Sequence, residues 1–333
     1  MYLREYLYAD VDKIRSLAAQ LMKGVPEEAR STEKKMKQLT LGMKAVAGSV
    51  NDWTSEEYTN RSLADSLFGD LEDILESEGW LFDISDILQG ASTDYSTLPK
   101  SYSPGTLVRI TAPGLLFDAR FVARVLGGLA AASDGIATLN PVEDQSNTRS
   151  AAGRKNQQKK HNVNEPVPDT LESEIHDYDS RILGIEASTL RAIVKISRGL
   201  FSPGVHLMLT PRGDEITITA RLQEGGKYLE TNPEILFSRY GTARQSWTLV
   251  GSIGAYSQSA SSDEVGKQEF MDNDTINRSK FANFVNYFMQ FAGHQGLADM
   301  PQYPGFSIVP LAAYRTIIKL DHLELQTTDG AAI

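Results

Sequence analysis

The sequence contains no cysteine, and it has only five histidines in 333 residues. The lack of cysteine excludes disulfide bonds, thiolate metal sites and cysteine nucleophiles. No uncharged apolar run approaches the roughly 18 residues that a membrane-spanning helix needs. Charged residues such as Arg4, Glu5 and Asp10 occupy the N-terminal positions where a signal peptide has its apolar core. We therefore expect a cytoplasmic protein that has no membrane partner.

The sequence also lacks the common catalytic and nucleotide-binding motifs. It has no phosphate-binding Gly-x-x-x-x-Gly-Lys-Ser/Thr loop, no dinucleotide-binding Gly-x-Gly-x-x-Gly, no His-Glu-x-x-His and no Gly-x-Ser-x-Gly. These absences exclude the usual forms of nucleotide-binding and hydrolase sites. We predict no cofactor, and we favour a protein without enzymatic activity over an enzyme with an unfamiliar site.

The net charge of -10 is distributed unevenly along the chain. Residues 51–99 contain twelve acidic residues and a single basic one, Arg61. Residues 145–164 contain five basic residues and no acidic one. The hydrophobic fraction of 41% is typical of a folded globular chain. The sequence thus predicts a globular protein that has one acidic surface and one basic segment.

Residue periodicity predicts an α+β fold, with a mixed or mainly antiparallel sheet and flanking amphipathic helices. Asp10 is interpreted as the N-cap of a helix that begins at Val11. A helix around residues 63–78 places apolar residues on one face and acidic residues on the other. Pro113-Gly114 is interpreted as the end of a strand. Further strands are predicted at 2–8, 106–111, 204–222 (a hairpin), 247–256 and 306–317, and further helices at 27–46, 118–132, 188–196, 233–240 and 277–295.

Residues 140–172 interrupt this periodic pattern. They have few large apolar residues and are rich in Asn, Gln, Lys and Pro. Such a segment buries too little apolar surface to offset the entropy of ordering. We therefore predict an N-terminal α+β half at 1–139, a flexible basic linker at 140–172 and a C-terminal α+β half at 173–333.

The opposed charges of the linker and the acidic helix suggest interaction sites. One hypothesis is that the linker folds back onto the acidic helix and masks it until a partner displaces it. The basic residues are also candidates for nucleic-acid contacts, but no aromatic residues are interleaved with them, so a solvated linker is favoured. The candidate interaction residues are Asp65, Asp70, Glu72, Asp73, Glu76 and Glu78 on the helix, and Lys155, Lys159 and Lys160 on the linker.

Two short clusters are candidates for chemistry. His176 lies beside Asp177 and Asp179, and an imidazole next to carboxylates titrates near neutral pH, as general acid–base catalysis requires. Asp10 and Asp12 follow a strand and are candidate ligands for a divalent cation. The alternative for this second pair is that Asp10 caps the helix while Asp12 complements its dipole.

Two motifs carry a resemblance to a known family. The N-terminal residues Arg4-Glu5-Tyr6-Leu7-Tyr8 with Asp10, and the late residues 310–315 (Pro-Leu-Ala-Ala-Tyr-Arg), resemble the two ends of an uncharacterised bacterial family, a domain of unknown function. The resemblance implies no activity, substrate or catalytic residue. For such families, a role in anti-phage defence is a hypothesis.

Two functional classes therefore follow from the sequence. The favoured one is a non-enzymatic binding or regulatory protein, a sensor or adaptor with a protein partner, because it accounts for the missing catalytic motifs and the divided charge. The alternative is an enzyme whose site is assembled from both halves of the chain.

Overall fold

The structure is a computed structural model that describes residues 3–21, 55–90, 94–139, 175, 184–213, 215–265, 270–272 and 275–317. The first half contains β1 (Leu3–Ala9), α1 (Val11–Leu21), α2 (Ser55–Ser77), β2 (Leu81–Asp83), α3 (Ser85–Gln89), a short 3-10 turn (Tyr95–Thr97), α4 (Leu98–Ser101), β3 (Leu107–Phe117) and α5 (Ala119–Leu139). The second half contains α6 (Ala187–Leu200), β4 (Val205–Leu209), β5 (Thr217–Leu222), α7 (Pro233–Tyr240), β6 (Gln245–Tyr256), α8 (Ser262–Val265), β7 (Met271–Asp272), β8 (Thr275–Ile276), α9 (Arg278–His294) and β9 (Gly305–Ile317). The predicted α+β class is confirmed.

Three long strands form the centre of the main sheet, in the order β3, β6, β9, with antiparallel pairing. The hairpin of β4 and β5 connects the outer edges of this group, because β4 pairs with the end of β3 and β5 pairs with the start of β9. These pairings close a ring of five strands. The remaining parts of the same outer edges hold β2, which is parallel to β3, and β1, which is antiparallel to β9. The sheet is thus mixed and mainly antiparallel, as the sequence predicts.

The strand predicted at 106–111 is longer than expected, since β3 continues through Pro113 and Gly114 to Phe117. Proline is tolerated there because its missing N–H falls between the partners β2 and β4, where the edge has no strand ladder to support. Side chains of α3 occupy this gap: Ser85 Oγ accepts a hydrogen bond from Thr111 N, and Gln89 donates one to Thr111 O. The interpretation of Pro113-Gly114 as a strand end is therefore wrong.

Helices α1 and α2 pack together over β1, β3, β6 and β9 and form a large part of the core. Every third or fourth residue of each helix points inward, which is the spacing that the sequence indicated. Burying one large aliphatic or aromatic side chain contributes about 2 kcal/mol, so this contact stabilises both helices. The buried side chains are Val11, Ile14 and Ala18 of α1, Phe68, Leu71 and Leu75 of α2, and Leu311, Ala312 and Tyr314 of β9.

The chain divides into two compact units. One comprises 1–117, 205–295 and 300–333, and the other comprises 118–204 and 296–299. In the second unit, α5 and α6 pack through small and aliphatic residues such as Ala130 and Val194. Strands from residues 1–139 and from 173–333 share the main sheet. The predicted linker at 140–172 and the helix predicted at 27–46 lie outside the described residues.

Helix α9 forms where the sequence predicts it, and the side chain of its N-cap Asn277 accepts a hydrogen bond from Lys280 N. Its apolar face is not buried like those of α1 and α2. Phe281, Val285 and Phe288 are each more than a third exposed. Gly293 is the buried residue of this helix.

The close pairing of β6 and β9 generates a prediction at Gly251. A methyl group there would lie 2.4 Å from Val309 O and 2.6 Å from Ile308 Cγ2. Because a backbone atom cannot give way easily, Gly251→Ala should lower the free energy of unfolding by about 2 kcal/mol or more in a urea titration. Gly254→Ala in the same strand is the control, since its nearest neighbour is the rotatable side-chain oxygen of Ser307. An equal loss of stability in both variants would contradict the packing argument.

Candidate functional site

The carboxylate of Asp10 is used by the helix that follows it. Its Oδ1 accepts a hydrogen bond from Lys13 N at 3.1 Å, and its Oδ2 forms an ion pair with Lys13 Nζ at 2.7 Å. Asp10 is buried, with 3% of its surface exposed. These contacts are those of an N-cap, one of the two interpretations of this residue.

Asp12 lies on the outside of α1 and contacts a different part of the chain. Lys227 Nζ lies 2.6 Å from its Oδ1, and the Tyr228 hydroxyl donates to its Oδ2 at 3.0 Å. The hydrogen bond from Lys227 lowers the pKa of Asp12, and the same bond raises the pKa of Lys227. A cation at Asp12 would have to displace this ammonium group. Among the residues that the structure describes, no group of three or more His, Asp or Glu side chains has the geometry of a metal site.

A polar cluster surrounds Glu72 of α2, which is 0% exposed. Its Oε1 accepts hydrogen bonds from Arg109 Nε at 2.7 Å and from the Tyr314 hydroxyl at 2.8 Å. Its Oε2 lies 2.8 Å from Arg4 Nη2, in an ion pair that does not have the alignment of a hydrogen bond. One carboxylate of α2 thus joins β1, β3 and β9.

A second carboxylate, that of Glu76, contacts the same arginine. Arg109 Nη2 donates to Glu76 Oε2 at 2.7 Å, so two arginines face two glutamates. Burial lowers the pKa of Arg109, but the hydrogen bonds to Glu76 and Glu72 outweigh it and raise that pKa above its usual value. The bond from Arg109 holds the pKa of Glu76 below its usual range. Arg109 and Glu76 are therefore both ionised at neutral pH.

Aromatic rings enclose the Glu72 cluster. The Tyr6 ring lies 5.5 Å from that of Tyr314 and 6.0 Å from that of Phe68, in edge-to-face contacts. Arg4 lies over the Tyr314 ring at 5.5 Å. Burial raises the pKa of the Tyr6 hydroxyl well above its ordinary value, so it is protonated at physiological pH. Glu72 is removed from water in these surroundings, which strengthens its own ion pairs.

The placement of Glu72 corrects one expectation from the sequence. Glu72 was grouped with the acidic face of the helix, but it is buried among arginines and does not reach solvent. Asp70, Asp73 and Glu78 are exposed as expected, as is Glu76 apart from its bond to Arg109, while Asp65 is half-buried. The sequence offered one signal for this cluster, since Arg109 interrupts the apolar strand 107–110.

Two exposed aromatic residues follow the end of α2 in the chain. Trp80 is 60% exposed and Phe82 of β2 is 45% exposed. Asp83 Oδ2 lies 3.6 Å from Arg109 Nη1, and the same arginine holds Glu76, so the acids of α2 and β2 are neighbours. We call this region the acidic–aromatic surface. It consists of Asp70, Asp73, Glu76, Glu78, Trp80, Phe82 and Asp83.

The other candidate residues lie outside the described part of the chain. These are His176, Asp177 and Asp179, proposed for catalysis, and Lys155, Lys159 and Lys160, proposed for interaction. Both proposals stay predictions. None of the described helices combines the length and apolar character that a membrane crossing requires.

The capping role of Asp10 generates a prediction. Asp10→Ala should lower the free energy of unfolding by about 1 kcal/mol, and Asp10→Ser should restore most of the loss because serine also caps helices. The measurement is thermal unfolding, with and without added Mg²⁺ or Ca²⁺. If Mg²⁺ or Ca²⁺ raised the unfolding temperature of the unmodified chain but of neither variant, Asp10 would be a metal ligand instead.

The Glu72 cluster generates a second prediction. Glu72→Gln removes the buried charge that pairs with the partly exposed Arg4 and Arg109, so we expect a loss of about 3 kcal/mol in the free energy of unfolding. The control is Glu78→Gln, the same chemical change at an exposed acid just beyond α2, which should alter stability by less than about 0.5 kcal/mol. Similar denaturation midpoints for the two variants would show that the cluster is not a structural requirement.

Comparison with known proteins agrees with the resemblance seen in the sequence. A family model described as a domain of unknown function (DUF6414) matches residues 3–314. No curated protein and no solved structure matches the chain. The residues that carried the resemblance lie at both ends of this match, where β1 and β9 pair. The chain therefore belongs to this family, the domain of unknown function DUF6414.

Proposed function

We propose that this protein is a non-enzymatic binding or regulatory protein, a sensor or adaptor, and that its acidic–aromatic surface binds a basic protein partner. The observation that carries the proposal is the exposure of Trp80 and Phe82, which directly follow the acidic helix α2 in the chain. Exposed aromatic residues are enriched at interaction sites, where they supply most of the binding energy. The acids around them select a partner rich in Lys and Arg.

The Glu72 cluster holds two acidic side chains of this surface in place. Arg109 holds Glu76 of α2 and Asp83 of β2 from the same guanidinium group. The Phe82 ring is braced by Tyr102, with 6.1 Å between the ring centres. A surface that is already ordered loses less conformational entropy when a partner binds. The carboxylates of Glu76 and Asp83 are therefore preorganised for binding.

Charge also distinguishes the classes of partner. A nucleic acid would be repelled by this surface, because its phosphates carry the same sign of charge as the carboxylates. A basic protein segment would gain cation–π contacts with Trp80 and Phe82 in addition to its ion pairs. An enzyme remains the alternative function, with His176 and its neighbours as the starting candidates. That such an adaptor acts in anti-phage defence is a hypothesis.

The proposal predicts charge-selective peptide binding. The probes are three dye-labelled peptides of equal length: one rich in Lys, Arg and Leu, one neutral and one acidic. Fluorescence anisotropy should show binding of the basic peptide alone, with an affinity that falls as salt increases. Neutralising Asp70, Asp73 and Glu78 to Asn, Asn and Gln, or replacing Trp80 with Ala, should weaken binding about tenfold or more.

A matched control keeps the net charge of the triple variant. Asp134→Asn, Glu224→Gln and Asp263→Asn remove three other exposed acids, and they should leave the affinity unchanged. Equal weakening by both triple variants would show that the total charge of the protein, and not this surface, attracts the peptide. An unchanged peptide affinity in the Trp80 variant would show that this aromatic side chain is not part of the binding site.

A further inference from the structure

Helix α9 carries an apolar stripe on its exposed side. Its members are spaced four, three and one residues apart, which places them on one face of the helix. Each is between 38% and 49% exposed. They are Phe281, Val285, Phe288 and Met289.

A small hairpin extends this stripe at the start of the helix. Met271 of β7 and Ile276 of β8 are cross-strand partners, and both are largely exposed. Phe270, which precedes the hairpin, packs against Phe281 and Phe284 with ring centres 5.4 and 5.2 Å apart. The hairpin and the helix therefore form one apolar patch.

The patch has the size of an interface. From the exposed fractions of its six side chains, it offers on the order of 600 Å² of apolar area. A standard protein interface buries about 800 Å² per partner, of which somewhat more than half is apolar. A single helix that leaves this much apolar area in water is marginally stable, because most helical stability comes from packing of the apolar face.

The charges of α9 indicate the orientation of a helix that packs against it. The helix contains no acidic residue, and Arg278 and Lys280 lie in its first turn. Cations are unfavourable at this positive end of a helix and favourable at the negative C-terminal end. A second α9 in antiparallel orientation would offer its C-terminal end to Arg278, which lies on the same face as the stripe. The unfavourable charge of Arg278 on each helix would thus be compensated by the other helix.

We propose that two copies of this chain associate through α9, with the helices antiparallel across a two-fold axis near Val285. Such an interface requires a patch that is complementary to itself. With the axis at Val285, Phe281 of one copy lies opposite Met289 of the other, and Arg278 lies opposite Ala292 in the last turn of the helix. This assembly is independent of the acidic–aromatic surface.

Light scattering on the full chain tests the assembly. We expect a mass of twice 36.7 kDa at micromolar concentration. Phe288→Glu should raise the dimer dissociation constant about tenfold or more, because it places a charge in the apolar contact. Ile196→Glu is the control, since it makes the same kind of change at an exposed apolar residue of α6. A monomer at all concentrations, or a dimer that both variants leave unchanged, would overturn the proposal.

The absence of natural cysteine permits a specific test of the orientation. Under mild oxidation, Val285→Cys should form a disulfide-linked dimer, because the two-fold axis places the cysteine of one chain next to the cysteine of the other. Ile196→Cys should not form one. If Val285→Cys stays monomeric while Phe288→Glu still breaks a dimer, the antiparallel two-fold arrangement is wrong.

Arg278→Glu distinguishes the effect of charge on the isolated helix from its effect on the dimer. An acid in the first turn stabilises an isolated helix, but it would face the negative end of the partner helix in the dimer. The dissociation constant should therefore rise while the unfolding temperature of the dilute monomer stays the same or increases. Binding of a monomeric chain to anionic lipid vesicles, lost in Phe288→Glu, would assign the patch to a membrane surface and overturn the dimer.

Discussion

The ion pairs of Glu72 are the interaction on which the arrangement of α2 and the sheet depends. A carboxylate removed from water is unfavourable unless nearby donors replace its hydration. Three different strands supply these donors, from Arg4, Arg109 and Tyr314. Because the geometry of all three must be correct together, the cluster selects one position of α2 over the sheet. Apolar packing of Phe68, Leu71 and Leu75 adds stability to that position.

The two ends of the chain meet in this part of the fold. β1 and β9 are antiparallel neighbours, and successive residues of each point to opposite faces of the sheet. Arg4 and Tyr314 contact Glu72 on one face. Glu5 and Arg315 form an ion pair, with Arg315 Nη2 2.6 Å from Glu5 Oε2. Glu5 therefore meets Arg315 because the two residues lie opposite each other in strands that are about three hundred residues apart in sequence.

The same cluster relates the core to the acidic–aromatic surface. Arg109 contacts buried Glu72 with one nitrogen and exposed Glu76 with another. Restraint of this side chain in the core thus restrains the carboxylates outside it. Helix α9 presents a different situation, since its apolar stripe is not covered by described residues of the same chain.

Most helices and strands could be predicted from the sequence, because their signals are local. The helix at Val11 begins after the predicted cap Asp10, and the helices predicted at 118–132 and 233–240 begin at Ala119 and Pro233. The acidity of α2 is likewise evident from the sequence.

Burial, in contrast, was decided by the tertiary structure. The periodicity of α2 could not distinguish Glu72 from Glu76, and that of α9 could not show that its phenylalanines face solvent. Pro113 was compatible with a strand only because two partner strands leave a gap beside it. The physical reason is that desolvation of a side chain depends on which distant strand or helix packs against it, and local sequence does not contain that information.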